Sequence, residues 1–180
     1  HCSKLLKVEI PNNSELQMIG EYAFSSSSIQ SISIPPNVTQ ISESVFLSCK
    51  QLKNVEFSSD SKLQIIDKEA FAFSSIESLS IPSCASEFRR GWAAGTPKLN
   101  RITIIQAKEK NVCYKDHLVI GKSDTKSGKY DVVIYADRNI KTIKIPEDVK
   151  RIESYGFSCS NIENISISKS VTEICENAFS

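Results

Sequence analysis

Hydrophobic positions recur along the chain in one short pattern: an aliphatic residue, two others, an aliphatic residue, one other, and then an aliphatic residue or Phe. In one copy these positions are Ile29, Ile32 and Ile34, followed by Pro35. Alternation of apolar and polar residues is typical of a half-buried strand, and a following Pro removes a backbone donor and ends the strand. Seven copies occur, and their first residues are Leu5, Ile29, Leu52, Ile76, Leu99, Ile140 and Ile162.

Most repeats also have a recurring second half. In the second repeat its apolar positions are Val38, Ile41, Val45 and Phe46. The spacing from Ile41 to Val45 and Phe46 predicts a single helical turn that folds back over the strand. Neither half can bury its apolar face alone, so we expect the repeats to stack into a solenoid with a continuous core. Uninterrupted copies start 22 to 24 residues apart, within the leucine-rich-repeat range of about 20 to 29.

The fifth repeat is interrupted by extra chain, because the first residues of the fifth and sixth copies lie 41 apart. The insert runs from about 111 to 139. Its apolar runs at 112–114, 118–120 and 132–135 predict strands, and the polar stretch 121–128 predicts a turn. We therefore expect an inserted β-hairpin or a three-strand patch. It is either a functional protrusion or a packing spacer, and its apolar residues favour the spacer.

Three sequence motifs carry a family resemblance. They are Ile-Gly-Glu-Tyr-Ala-Phe at 19–24, Ile-Ser-Ile-Pro-Pro-Asn-Val at 32–38 and Ile-Cys-Glu-Asn-Ala-Phe at 174–179. Nearly the whole chain resembles the BspA-like leucine-rich repeat proteins, a surface-protein family of bacteria and parasitic protists. The sequence departs from that pattern in the insert and in the fourth repeat, which carries Phe88 and Trp92 at anchor positions.

The resemblance implies an α/β-type solenoid. We expect a right-handed leucine-rich repeat solenoid with a parallel β-sheet of short strands on one face, short helical turns and loops on the other, and the inserted β-hairpin. Residues 1–180 would form a single domain of about seven repeats. Because the chain stops after the second half of a repeat, without a polar capping repeat, we expect a fragment of a longer array.

Composition agrees with many short strands. The chain has 29 Ser and 23 Ile but only 9 Leu; Ser has a poor helix propensity and Ile favours strands, which argues against a helical bundle. The 22 basic and 21 acidic residues give a net charge of +1. Nothing in that balance would neutralise phosphates, so nucleic acid is not an expected partner. No apolar run reaches the roughly 18 residues that membrane insertion of this segment would need.

Candidate chemistry is sparse. Gly121-Lys122-Ser123 matches the end of a phosphate-binding loop, but the motif also needs a Gly where Asp116 stands and a helix directly afterwards. Cys113 and His117 could supply two zinc ligands, yet a site needs three or four and the only other histidine is His1. We therefore predict no catalytic residues, no metal site, no cofactor and no enzymatic activity.

Three of the six cysteines occupy equivalent positions of the repeat, and their spacing does not suit disulfide bonds. Cys2, Cys49 and Cys159 each precede the first aliphatic residue of a repeat by three positions. Cys2 and Cys49 would lie two strands apart, about 9–10 Å at the usual strand spacing, which exceeds what a disulfide spans. We expect free thiols and small buried side chains at these positions.

The residues between the apolar strand positions are expected to point to solvent and form one extended polar surface, the sheet face. It is of mixed sign and lacks aromatic anchors, so several residues would share modest contributions to binding a protein or glycan, with Arg101 and Lys144 the first to test. A merely solvated face is the alternative. The predicted sheet-face residues are Lys7, Glu9, Ser31, Ser33, Asn54, Glu56, Ser78, Ser80, Arg101, Thr103, Thr142, Lys144, Asn164 and Ser166.

The resemblance implies a non-enzymatic interaction or adhesion module of a cell-surface protein, which binds host or matrix proteins, other cells or a glycan through the sheet face. An extracellular, surface location rests on the resemblance alone. The alternative is an intracellular, cytoplasmic scaffold or regulatory repeat protein, favoured by the expected free thiols and by an N-terminus without the apolar stretch of a signal peptide. End-to-end self-association stays open, and an enzyme with a site in the insert is a third, weaker hypothesis.

Overall fold

A computed structural model describes residues 2–180 and contains 15 β-strands, with no helix among the described residues. The strands are β1 (Met18–Ile19), β2 (Ser31–Ile34), β3 (Gln40–Ile41), β4 (Asn54–Phe57), β5 (Ile65–Ile66), β6 (Ser78–Pro82), β7 (Glu87–Phe88), β8 (Arg101–Ile105), β9 (Val112–Lys115), β10 (Leu118–Gly121), β11 (Val132–Ala136), β12 (Thr142–Lys144), β13 (Arg151–Ile152), β14 (Asn164–Ser166) and β15 (Glu173–Ile174).

The strands build a β-solenoid of about seven turns with two parallel sheets on different sides. Strands β2, β4, β6 and β8 form one four-stranded sheet, and the two-residue strands β1, β3, β5 and β7 form the other. In the first sheet, equivalent repeat positions pair directly, Ile32 with Val55 and Ile34 with Phe57. Stacking of equivalent positions follows from the nearly constant length of the uninterrupted repeats, because each turn places its strand beside the previous one.

Alternating burial explains the longer strands. In β2 the side chains of Ile32 and Ile34 are buried while Ser31 and Ser33 face solvent. The same alternation holds in β4, where Val55 is fully buried. The polar and apolar positions that predicted half-buried strands therefore occupy the expected sides of the sheet.

The predicted helical turn in the second half of each repeat is wrong. Ser44 and Ser48 adopt positive φ values of 57°, which a right-handed helix does not contain. The Phe46 amide donates to the Ala70 carbonyl of the next repeat (2.8 Å) and not back along its own chain. Because alternate amides of each tight turn donate to the next repeat, the turns form a third hydrogen-bonded ladder. The expected α/β mixture is replaced by an all-β solenoid.

A column of aromatic rings runs through the core. Phe24 stacks on Phe46 with centroids 5.7 Å apart, and Phe46 stacks on Phe71 at 5.2 Å. Trp92 meets Phe71 edge-on at 6.4 Å and lies 6.0 Å from Tyr135. The fourth repeat, which departs from the sequence pattern at Trp92, thus keeps an aromatic ring in the column, and the insert adds the next ring.

The insert does not form a separate hairpin attached to the solenoid, so the expected inserted β-hairpin is not supported in that form. Strands β9, β10 and β11 are antiparallel neighbours, but β11 also pairs in parallel with β13. All three belong to one five-stranded sheet with β13 and β15. The run 132–136 is apolar at every position because both faces of β11 are covered, which makes it a solenoid strand and not the arm of a protrusion.

The three insert strands, called the septum below, divide the core in two. Val119 packs with the apolar residues of the first five repeats, whereas Leu118 and Ile120 pack with those of the last two. Both regular sheets are interrupted there, and β7 is separated from β11 by a recess of about 230 Å³ lined by Phe88 and Ile134.

Candidate functional site: the sheet face

The sheet face is a set of polar rows that cross the first sheet in register. Ser31 pairs with Asn54 and Asn54 with Ser78, and Ser78 pairs with Arg101 of the last strand. Because side chains two residues apart point to the same side of a strand, Ser33, Glu56, Ser80 and Thr103 form a second row. Two of the predicted rows are therefore brought together over four adjacent strands.

Hydrogen bonds within the sheet face fix some of its side chains. Asn54 Nδ2 donates to Glu56 Oε1 (2.7 Å), and Ser78 Oγ donates to Asn54 Oδ1 (2.8 Å). Asn54, Ser78 and Ser80 are partly buried by their neighbours, and the other sheet-face residues on these four strands are exposed. Such a partly ordered polar surface suits recognition by several shared hydrogen bonds, since fixed side chains lose less conformational entropy on binding.

Lys7 and Glu9 extend the sheet face at its N-terminal side without belonging to a strand. They form an ion pair with each other, and the hydrogen bond between them raises the pKa of Lys7 and lowers that of Glu9. Both line a shallow recess of about 370 Å³ together with Ser31 and Ser33. The first repeat therefore adjoins the four-stranded part of the sheet face.

The C-terminal part of the sheet face is a separate patch. Thr142 pairs with Asn164 and Lys144 with Ser166, and all four side chains are exposed. Strand β12 is not hydrogen-bonded to β8, because the septum interrupts the sheet between them. The predicted continuous surface is therefore two surfaces, one on the first sheet and one on β12 and β14.

The β9–β10 turn borders this second patch, which sequence reasoning did not foresee. Lys115, Asp116 and His117 line a recess of about 510 Å³ together with Thr142 and Lys144. The spacing of Cys113 and His117 drew attention to this turn for its chemistry, but no signal in the sequence placed it beside β12.

A carboxylate anchors the turn. His117 Nδ1 lies 2.9 Å from Asp137 Oδ2, and the Tyr114 hydroxyl donates to the same oxygen. Burial, and next the Asp137 carboxylate, raise the pKa of Tyr114. His117 thus contacts Asp137, and not Cys113, which packs with the second core.

The metal and phosphate interpretations can be compared with the geometry. No group of three or more His, Cys, Asp or Glu side chains in residues 2–180 is arranged to hold a metal ion, and His1 lies outside the described residues. The Ser123 amide and hydroxyl donate to Asp131 at 2.8 and 2.7 Å. A carboxylate therefore occupies the donors that a phosphate-binding loop would present to an anion.

All six cysteines are free. Cys49 is buried, as expected for its position in the repeat, and burial raises the pKa of its thiol. The same expectation is wrong for Cys2 and Cys159, which are exposed. Their positions lie in the outermost turn and beside the septum, where no regular neighbouring repeat covers them.

Comparison with known proteins bears on this architecture. A family model described as BspA type leucine rich repeat region matches residues 1–112 and 120–180 with six copies. The chain belongs to this BspA type leucine-rich repeat family. The residues between the two matched ranges include the β9–β10 turn of the septum, where the BspA type repeat is interrupted. A comparison with curated protein sequences found no match.

Solved structures share the BspA type solenoid. A crystal structure of the pneumococcal vaccine antigen PcpA superimposes with a TM-score of 0.85 at 26% identity, over 97% of this chain and 42% of that chain. A leucine rich cell surface protein from Faecalibacterium prausnitzii superimposes with a TM-score of 0.76 at 22% identity, over 99% of this chain and 52% of that chain. A leucine-rich repeat protein from Bacteroides ovatus superimposes with a TM-score of 0.62 at 22% identity, over 96% of this chain and 46% of that chain. This BspA type chain therefore spans about half the length of these proteins or less.

One further property of the BspA type chain concerns membranes. Within the described residues, no helix has the length and apolar character that crossing a bilayer requires.

Proposed function

We propose that the chain is a non-enzymatic interaction module of a cell-surface protein, which adheres to host or matrix proteins or to other cells through its sheet face. The observation that carries the proposal is the in-register array of polar side chains across β2, β4, β6 and β8, continued by a second patch on β12 and β14. Extended sheet surfaces of stacked repeats are the usual binding surfaces of solenoid proteins.

The family and the solved structures support this proposal without deciding the ligand. Two of the similar proteins are described as a vaccine antigen and a cell surface protein. Repeat solenoids of this kind present extended surfaces that they use for binding.

The composition of the sheet face indicates weak binding at each copy. It contains Ser, Thr, Asn and a few charged residues but none of the aromatic anchors that dominate tight interfaces. Several copies displayed together would bind far more strongly than one, because each further contact becomes intramolecular. The proposal therefore favours a protein that acts in a dense array.

The experiment compares monomeric and multimeric chain. Biotinylated chain, alone or assembled on streptavidin, is applied to epithelial cells and to plates coated with basement-membrane matrix. Saturable binding of the assembled form, at a concentration where the monomer does not bind, is the expected result. Absence of binding by the assembled form to both cells and matrix would contradict the adhesion proposal.

A second candidate function is an intracellular scaffold. It is favoured by the six free thiols, because exported proteins usually carry their cysteines as disulfides. Antibody labelling of intact and permeabilised cells of the source organism separates the two. Labelling of intact cells supports the surface module, whereas labelling only after permeabilisation supports the scaffold.

A further inference from the structure

We propose that a cleft on the turn side of the solenoid, away from the sheet face, binds a neutral sugar ring. The cleft has a volume of about 320 Å³, and Phe73 and Tyr155 line it. Gly91 and Ala94 of the fourth repeat line it as well. The volume lies at the lower end of the range of small-molecule sites, about 300–1,000 Å³. We call it the aromatic cleft.

Phe73 is unusual for the position it occupies. The corresponding residues of other repeats are small, namely Ser26, Ser48, Gly95 and Cys159, and all of them have positive φ. Phe73 shares that conformation with φ 55° and is 52% exposed. A bulky residue at positive φ is strained and the core gains little from an exposed ring, so the position points to a role outside folding.

Two glycines make room for the two rings. A Cβ added at Gly95 would overlap the Phe73 ring, and one added at Gly91 would contact the Tyr155 ring at 3.5 Å. Gly91 and Gly95 belong to the same repeat and replace the larger residues found in other turns, such as Ser44 and Ser48. The fourth repeat is thus shaped as a platform on which both rings lie.

Polar contacts hold Tyr155 in place. Asn177 Nδ2 donates to the Tyr155 hydroxyl (3.2 Å) and the Tyr155 amide donates to the Asn177 carbonyl (3.1 Å). On the opposite side, the Phe73 amide donates to the Ala94 carbonyl (2.8 Å). The Tyr155 side chain and the Phe73 backbone are therefore held by hydrogen bonds before a ligand arrives, which lowers the entropy cost of binding.

The charged residues of the cleft balance each other. Glu43, Lys68, Glu69 and Arg90 line it, two of each sign. Lys68 lies 3.9 Å from Glu43, and Arg90 is paired with Glu176 at 2.9 Å. The two positive and two negative side chains cancel, so the cleft offers no net charge to attract an ion and suits a neutral molecule.

A pyranose ring fits these conditions. Its C–H face can stack on an aromatic ring, and its hydroxyls can accept from Lys68 and Arg90 and donate to the glutamates. The cleft is separate from the sheet face and extends the proposed function with a second, independent binding site. An aromatic side chain of a partner protein is the competing occupant, and the experiment distinguishes it.

The test uses ligand-observed NMR with methyl glycosides of glucose, galactose, mannose and N-acetylglucosamine. A methyl sialoside is included as an anionic sugar and N-acetyltyrosinamide as a protein side-chain mimic. Phe73→Ser and Tyr155→Ser place at each position the residue that another repeat carries there, at Ser48 and Ser44. Tyr22→Ser removes an exposed tyrosine from the same type of position as Tyr155, outside the cleft, and is the matched control.

At least one neutral glycoside is expected to bind, with affinity reduced about tenfold or more in Phe73→Ser and in Tyr155→Ser, and unchanged in Tyr22→Ser. Thermal denaturation confirms that each variant is folded. Absence of binding by every neutral glycoside, binding of the sialoside or of N-acetyltyrosinamide alone, or binding that survives both cleft substitutions would overturn the proposal. Sheet-face variants do not alter this readout, so its failure is separable from failure of the proposed adhesion.

Discussion

The guanidinium carbon of Arg138 lies 4.1 Å from the centroid of the Tyr135 ring, and both side chains are only 1% exposed. Arg138 Nη2 donates to the carbonyl of Ala93 in the fourth repeat, and Nη1 donates to that of Gly156 in the sixth, each at 3.3 Å. The Tyr135 hydroxyl donates to the carbonyl of Leu99. This pair therefore joins the repeats on the two sides of the septum.

Replacing Arg138 is expected to weaken that junction. Arg138→Ala removes one hydrogen-bond donor from each of two carbonyls, takes away the cation–π contact and opens a cavity, so we expect the free energy of unfolding to fall by about 2–4 kcal/mol. Arg138→Met fills the same space and removes the buried guanidinium, whose pKa is already lowered by burial. The free energy of unfolding should therefore fall less in Arg138→Met than in Arg138→Ala. Urea denaturation measures both, and Arg101→Ala, on the exposed sheet face, should change stability by less than about 0.5 kcal/mol. An Arg138→Ala chain as stable as wild type would contradict the junction.

The aromatic column predicts a large effect at its centre. Phe46 is fully buried between Phe24 and Phe71, so Phe46→Ala should destabilise the fold by about 3–5 kcal/mol. Phe73→Ala removes a ring of the same size that is half exposed and outside the column. It should lower the free energy of unfolding by much less. Chemical denaturation of the two variants side by side tests the difference. Equal losses of stability in the two variants would contradict the prediction that a ring in the column stabilises the fold more than an exposed ring does.

Alkaline pH should destabilise the protein through Tyr135. Burial raises the pKa of its hydroxyl above the ordinary value of 10.0, so the unfolded chain releases this proton at a lower pH than the folded chain does. Below pH about 10 both states keep the proton, and above it the unfolded state binds fewer protons, so stability falls as pH rises. Unfolding free energies measured from pH 8 to 11 should show this decline.

Tyr135→Phe is the matching variant. It should lose about 1 kcal/mol at neutral pH, because the bond to Leu99 disappears, and it should decline less steeply above pH 10. A wild-type curve and a Tyr135→Phe curve with the same slope would refute the assignment. Tyr114, whose pKa is also raised, accounts for part of any residual slope.

Much of the fold could be predicted from local patterns. The alternation at Ser31–Ile34 identified β2 and the side of it that faces solvent. Two-residue strands such as Gln40–Ile41 could not be predicted, because two residues show no periodicity. The turn at Phe46 matched a helical spacing, but hydrogen bonds to the next repeat, which local spacing does not encode, decided its conformation.

Some features of the candidate sites could also be predicted from local sequence, whereas others depend on contacts between distant repeats. Arg101 and Lys144 were placed on exposed strand faces from spacing alone, and both are exposed on strands. The interruption of the sheet between them depends on how the septum packs, which follows from contacts distant in sequence. The aromatic cleft also joins distant repeats, although one signal for it was present, a Phe at position 73 where other repeats carry Ser, Gly or Cys.

Charge reversal shows whether the sheet face carries the binding to cells and matrix. Arg101 and Lys144 are exposed, one on each patch of the sheet face, so Arg101→Glu combined with Lys144→Glu perturbs both patches at once. The control combines Lys126→Glu and Lys129→Glu, two exposed lysines in the turn between β10 and β11, with the same change in net charge. Binding of streptavidin-assembled chain to epithelial cells and to matrix is measured for each.

We expect the sheet-face double variant to lose binding by about tenfold or more while the control binds like wild type. Equal binding by both variants, or an equal loss in both, would contradict recognition through the sheet face.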